Sequence, residues 1–563
     1  MGHRANQLLY WVIIGGFFIP LLLGLLGVLL PSFGIDPALG SSKFSLVHWH
    51  ELLNQSEFWS GLKLSVLTGI MATVLSYWFA SSLVVCTYQT RWFQRLQSII
   101  TPILSIPHAA ITIGALFVLS PSGWLVRMIS PWLTQFDRPP NWLTVQDPEG
   151  IALIIALVIK ETPYLVFAMA AALSQLQPNK TLLTTRLLGY DSITAWHFTL
   201  LPQLFKLVRL PVFMVLAFNL TVVDVATIIG PNTPSTLAVT LLRWFNDPSL
   251  SLRGQASAAA MILAFSVAAC IAIWLLSERC YSLIRKRLSL LGQRRSALRW
   301  TTLAGMLGAL VILSLTILAL FVLPLWAFTR RWRFPDNWPS SFTLDNVFRA
   351  GQNLIELSTQ SFSLGLCSSL ISLGLALVLL ECERLRPKQK FAVIIVFSAI
   401  LLPQITLLFG IQVGLLYLDW NGTWWSVLGL HTLYTLPYVY LTLKAPYLAF
   451  DQGYLEQANR LRTTPTRNFW QVKVALLKAP IGAALAIGFS VSMAQYLPTL
   501  IAGEGRINTL TTEAVARASS GNRKWVSVLA LAQAILPLIC FYMATLLPRY
   551  WTSWRLTLKR VLC

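Results

Sequence analysis

Asp224 and the adjacent pair Lys160–Glu161 are the residues of this chain whose type and setting could do chemistry. Asp224 sits in the apolar run 207–230, and Lys160–Glu161 in the run 150–173 before it. An ionisable group inside an apolar span is costly and usually faces a bundle interior or an aqueous path. Gln495 falls opposite Asp224 when Phe218 is aligned with Phe489. An Asp and a Gln facing one another across an axis would line a cavity for a cationic or hydrogen-bonding solute. Glu161 is the third pathway candidate. The alternative is local: Asp224 caps or pairs near itself, and Lys160 pairs with Glu161. Other chemistry is thinly represented. His48 and His50 ("HWH") have too few further ligands nearby for a metal site, so no metal is expected. No G-x4-G-K-[ST] phosphate loop occurs, and no ABC signature such as "SGGQ". The chain therefore carries no nucleotide site of its own and is not expected to be an enzyme.

The elements that must position these residues are membrane spans. Of the 563 residues, 56% are hydrophobic and 11% charged, with a mean hydropathy of +0.65. A soluble domain carries about 25% charged residues. A span needs roughly 20 mostly apolar residues. Twelve runs qualify, near 8–30, 59–87, 99–119, 150–173, 207–230, 256–277, 302–327, 361–381, 391–418, 425–444, 480–501 and 525–547. The first is too long for a signal-peptide core and reads as an uncleaved span. The expected fold is all-α and polytopic, with about 12 transmembrane helices.

The net charge of +22 is explained by its distribution. With residues 1–7 inside, the inner segments hold 26 Lys or Arg against five acids, while the outer segments hold 13 of each. This is the positive-inside pattern rather than a nucleic-acid footprint, and it places both termini in the cytoplasm. The basic run 285–299 reads as an inner linker resting on lipid headgroups. None of the seven cysteines falls in an outer loop and no CxxC occurs, so neither a disulfide framework nor a zinc site is expected.

Cutting near residue 300 gives two sets of six runs in the same orientation, hence parallel repeats. The expected division is 1–285, a linker 286–300, and 301–563. "SIPHAAITIGALF" (105–117) answers "LLPQITLLFGIQV" (401–413), with Pro107 matching Pro403 at an offset of 296. Further along the offset falls to 273, because a long outer loop, 120–149, is answered by a few residues around Asp419. At this offset two polar, basic inner segments correspond, 183–206 and 456–480. Leu188 lies 49 residues before Leu237, and Leu461 lies 49 before Leu510. Loops of this length seldom recur in register without a job.

These segments resemble the EAA loop of bacterial ABC-importer permeases, a pattern of roughly E-A-A-x3-G followed by I/V-x-L-P. The second copy keeps Glu456 and Ala458, followed by Arg460, then Pro465, Phe469 and Val472, with Arg462 at the glycine position and Ala475 at the proline position. The first keeps Leu188, Gly189, Leu201 and Pro202, with Leu183 in place of the glutamate. Stretches 218–248 and 489–524 are similar to the fused two-domain permeases called YnjC-like. Thiamine and ferric-iron permeases of the binding-protein-dependent (MetI-like) class share this layout. The resemblance implies a multi-pass inner-membrane permease subunit driven by two copies of a separate cytoplasmic ABC ATPase. ATP would be used by those partners, and a periplasmic solute-binding protein would feed the chain. It assigns docking to Leu188, Gly189, Pro202, Glu456, Ala458 and Arg460, with the glycine breaking the inner helix and Pro202 ending the segment. An ion-coupled secondary transporter with two six-span halves explains span count and repeats equally well, but not the matched inner loops. A membrane-embedded transferase would want clustered outer acids and bases, and the outer acids are spread singly.

Overall fold

The computed structural model describes residues 3–36, 40–249, 251–290, 294, 298–385, 396, 398–460 and 464–562. Among these, nine helices are long and apolar enough to cross a membrane. A tenth span appears when the bent pair Lys478–Met493 and Leu497–Gly503 is taken together. A small antiparallel ribbon, Thr329–Arg331 with Ser341–Phe342, is the sole strand pairing beyond one isolated bridge among the described residues. The chain is an all-α polytopic membrane protein.

The two remaining runs of the expected twelve take another form. Residues 391–395 and 397 lie outside the described set, and Gln404–Tyr417 is an apolar helix of 14 residues. Trp424–Leu448 is long enough to cross, at 25 residues, but buries His431, Tyr434, Thr435 and Tyr440. Polar groups turned inward lower its hydropathy without exposing them to lipid.

Three other expected spans are broken where the sequence suggested continuous helix. The run 99–119 divides into Arg91–Leu104 and His108–Leu119, with Pro107 between them. Proline has no N–H and pushes its predecessor out of helical geometry. Carbonyls freed at the break need donors, and Lys160 Nζ supplies them, reaching Ile103 O (3.3 Å), Leu104 O (3.4 Å) and Ile106 O (2.5 Å). The run 207–230 ends at Thr221, and after Val222 and Val223 a short helix, Asp224–Ile229, turns away. The run 480–501 bends by 59° across Ala494–Tyr496.

On each side of residue 300 three helices pack into a core. These are Ser56–Thr87, Ile151–Leu173 and Leu201–Thr221, and then Asp345–Leu385, Trp424–Leu448 and Lys478–Met493. The first helix of each side crosses to the other. His3–Ser32 packs on Gln404–Tyr417, and Leu298–Phe328 packs on His108–Leu119. Both crossings rest on small residues: a Cβ at Gly410 would overlap Gly24 O, and one at Gly114 would overlap Ala319 O. Without a hydrophobic drive between helices in lipid, such close backbone approach is what holds helices together. The two matched Thr-Leu positions also make the same contact. Leu237 N–H donates to Ser65 Oγ and Leu510 N–H to Ser361 Oγ, both at 2.9 Å, each joining a short helix start to the second long helix of its side.

Candidate coupling and pathway sites

Both inner segments gather at one end of the bundle, with the basic linker. Leu298–Phe328 begins there: Thr302 Oγ1 meets His197 Nε2 at 2.9 Å. In the first segment the helix Pro178–Leu187 opens on proline at its first position, where a missing N–H is harmless. Gly189 ends it with φ +89°, a left-handed turn that suits glycine. A Cβ there would strike the Arg294 side chain, and Asp191 N–H donates to Arg294 O at 3.3 Å. Arg294 thus lies over this turn. Leu183, Leu187 and Leu188 are exposed, at 62%, 79% and 61%, and leave an apolar surface beside Arg186 on this helix.

Pro202 does not end its segment. The chain runs on from Ser192 through a π-helical stretch, Trp196–Leu200, into Leu201–Thr221, and Pro202 lies in the first turn of that helix. The wider turn, with Leu201 N–H bonded to Trp196 O, makes room for the ring that would otherwise crowd the preceding turn.

The second segment repeats the device. Gly453–Arg460 carries Glu456 in its first turn, where an acid favours the helix dipole, and Arg460 in its last. Glu456 and Arg460 are exposed and Ala458 is half-buried. Leu461 and Arg462, at the leucine and glycine positions of the pattern, lie outside the described residues. A second π-helical stretch, Phe469–Val474, begins 273 residues after the first. Its Lys473 was not singled out by the sequence, yet its side chain is 1% exposed. Lys473 Nζ lies 2.8 Å from Glu381 Oε2 and 3.8 Å from the Tyr447 ring centre, and Arg384 meets the other oxygen of Glu381. Burial holds the Lys473 ammonium below the ordinary lysine range, against the upward pull of Glu381. No spacing rule flags this pair, because its members are 92 residues apart.

The pathway candidates are brought part of the way together. Asp224 does not sit mid-span but opens the short helix after the break, and Gln495 lies in the corresponding bend; both are buried. Tyr496, beside Gln495, lies within electrostatic reach of Asp224. Lys160 and Glu161 act on one another electrostatically, but the Lys160 ammonium makes its hydrogen bonds to the carbonyls before Pro107. Glu161 faces His108, Oε1 to Nδ1 at 3.8 Å, and interacts with Tyr164 and with Tyr438 from the other core. His108 stacks on Phe218, with ring centres 4.5 Å apart. The two matched helices each carry buried polar atoms without hydrogen-bond partners among the described residues: Thr162 Oγ1 on one, and on the other Tyr434 OH and, at the matching position, Thr435 Oγ1. Such atoms are rare unless water or a ligand serves them. Sequence reasoning also missed His431, which pins the second bend through Ser492 Oγ (2.7 Å) and Thr499 Oγ1 (2.8 Å). Among the described residues no group of three metal-ligating side chains forms, and His48 lies 3.7 Å from Glu51 alone.

No protein-family model matches the chain. It is similar to the inner membrane ABC transporter permease protein YnjC of Escherichia coli (strain K12), with 28% identity over 547 residues, 96% of each chain.

Proposed function

We propose that this chain is the permease subunit of an ABC importer of the inner membrane, moving a small solute and driven by two separate ATPase subunits. One observation carries the reading: two short helices, each leading into a π-helical stretch at a spacing of 273 residues, stand at the same end of the bundle with free faces. Two matched docking helices suit a pair of partners, and because the first copy keeps the glycine and the second the acid, the two contacts are expected to differ in strength. The likeness to YnjC over nearly the whole chain supports the same role. On this reading residues 1–285 and 301–563 are parallel repeats joined by the linker 286–300, with both termini cytoplasmic. Leu188, Gly189, Pro202, Glu456, Ala458 and Arg460 form the two coupling loops. A periplasmic binding protein delivers the solute to the opposite end. ATPase closure would then move the docking helices and switch the bundles between inward-open and outward-open states.

Co-purification tests the docking half of this reading. An ABC ATPase should accompany the chain, and Glu456→Lys or Gly189→Pro should lower its recovery at least about tenfold, a loss of about 1.4 kcal/mol. Uptake that survives in membranes lacking any ATPase would refute the importer and favour an ion-coupled carrier.

The pathway on this reading runs between Asp224 and Gln495 at the two bends, with Glu161 and His108 beside it. Asp224→Asn should reduce uptake about tenfold while leaving ATPase recovery unchanged, since the charge and not the assembly is removed. Uptake kinetics identical to those of the unaltered chain would remove Asp224 from the path.

A further inference from the structure

Four cations gather around one cleft at the end of the bundle opposite the coupling loops, two of them against a single indole. Leu298–Phe328, 31 residues long, spans roughly 45 Å at 1.5 Å per residue, and carries Trp326 near its far end. Arg127 and Arg523 guanidinium carbons lie 5.8 Å and 5.2 Å from the Trp326 ring centre. Arg349 and Lys524 join Arg523 in lining a cleft of about 620 Å³ whose wall includes Trp326, Asn522 and Trp525. That volume lies in the range of small-ligand sites.

Neutral groups hold three of the four cations in place. Arg523 Nη2 donates to Ser122 Oγ (2.6 Å) and Ser120 Oγ (3.1 Å), Lys524 Nζ to Arg330 O (2.7 Å), and Arg127 Nη1 to Arg333 O (2.7 Å). Arg349 is exposed and makes no hydrogen bond or ion pair among the described residues. No carboxylate among the described residues stands within salt-bridge distance of any of the four. Elsewhere the chain pairs such groups, as in Arg209–Glu278 at 2.7 Å. Like charges gathered in a concave, partly dry setting repel one another, and an anion would relieve that repulsion. The arrangement is also one-sided: Leu53 and Ser251, which match Arg349 and Lys524 on the other side, are uncharged.

We infer that this cleft binds a phosphate-class oxyanion, carried by a phospholipid headgroup or free in the outer medium. A guanidinium fork and an ammonium from separate elements suit an oxyanion with several acceptor oxygens. The cleft lies beside Trp326, near the end of Leu298–Phe328, and the ends of spans are where headgroup phosphates lie.

The test uses the full chain, delipidated in detergent, and its Arg349→Gln/Lys524→Gln double variant, in which both altered side chains lie on the cleft wall and neither bears on the core. Inorganic phosphate at constant ionic strength should raise the thermal midpoint of the unaltered chain if the free anion binds. Retention of phosphatidylglycerol over phosphatidylcholine, read by native mass spectrometry after reconstitution, identifies the headgroup instead. In whichever arm responds, the double variant should bind about tenfold more weakly, while Lys63→Gln, an exposed cation elsewhere, should respond as the unaltered chain does. Responses in both arms that match between the unaltered chain and the double variant would overturn the assignment. So would binding of poly-glutamate alone, which would make the cleft a dock for an acidic protein surface.

Discussion

Gly410→Ala should destabilise the protein by about 3 kcal/mol, whereas Gly414→Ala, one turn along the same helix, should be neutral or mildly stabilising. Both glycines lie within Gln404–Tyr417 and both gain the same methyl group. The difference is what that methyl meets. At Gly410 it would overlap the carbonyl oxygen and carbon of Gly24, on the helix that crosses from the other side of the chain, while at Gly414 nothing stands within 4 Å. A crowded side chain can change rotamer, but two backbones in contact can separate only by moving whole helices. Gly27, one turn further along, faces Gly410 Cα at 2.6 Å from its own notional Cβ, so the crossing cannot slide to escape. At Gly414 the substitution gains helix propensity, worth about 0.5–1 kcal/mol in solution. Thermal aggregation midpoints of fluorescent fusions in detergent would show the two variants moving in opposite directions. Equal midpoints would mean that the crossing is looser than the structure shows. Gly114→Ala, at the matching crossing with Ala319, should fall with Gly410→Ala.

Most of the spans and the register of the inner segments were legible because each leaves a local trace: apolar length, or a recurring pair such as Thr236–Leu237 and Thr509–Leu510. The breaks at residues 222–223 and 494–496 were not, because the runs stay apolar across them and hydropathy does not register a turn in the backbone. Pro107 was legible as a matching position but not as a break, since prolines are tolerated in membrane helices when another group serves the freed carbonyls. That group, Lys160, lies 54 residues from Ile106 in the sequence, and its neighbour Glu161 drew attention to the charge pair rather than to these carbonyls. Pro202 misled in the opposite direction, because a π-helical turn absorbs it. Asp224 and Gln495 were found from alignment of the two runs, and the structure sets both at bends, where an irregular backbone must be buried or line a cavity.

Glu381→Leu should cost about 3 kcal/mol, the order expected when one member of a buried ion pair is removed and the other stays charged. Lys473 would keep the face of the Tyr447 ring at 3.8 Å but lose its only counter-ion among the described residues. Arg384, 30% exposed, can turn to water, whereas Lys473, at 1%, cannot. Replacing Lys473 with methionine in the same chain should recover most of the loss, because the charge that was stranded is then gone. The other side of the chain already uses this apolar solution: Val85 and Leu200 stand at the matching positions, offset by 296 and 273, and both are buried in one cluster. A single variant as stable as the double would mean that Lys473 reaches solvent or deprotonates at little cost, and would remove the ion pair as a fixed part of the second coupling loop. Stability and coupling then separate in one comparison. The Glu381→Leu/Lys473→Met chain, restored in thermal midpoint, should match the unaltered chain in ATPase recovery if the pair only holds the loop in place. Recovery that stays low would show that the charges themselves bear on the docking proposed for the helix Gly453–Arg460.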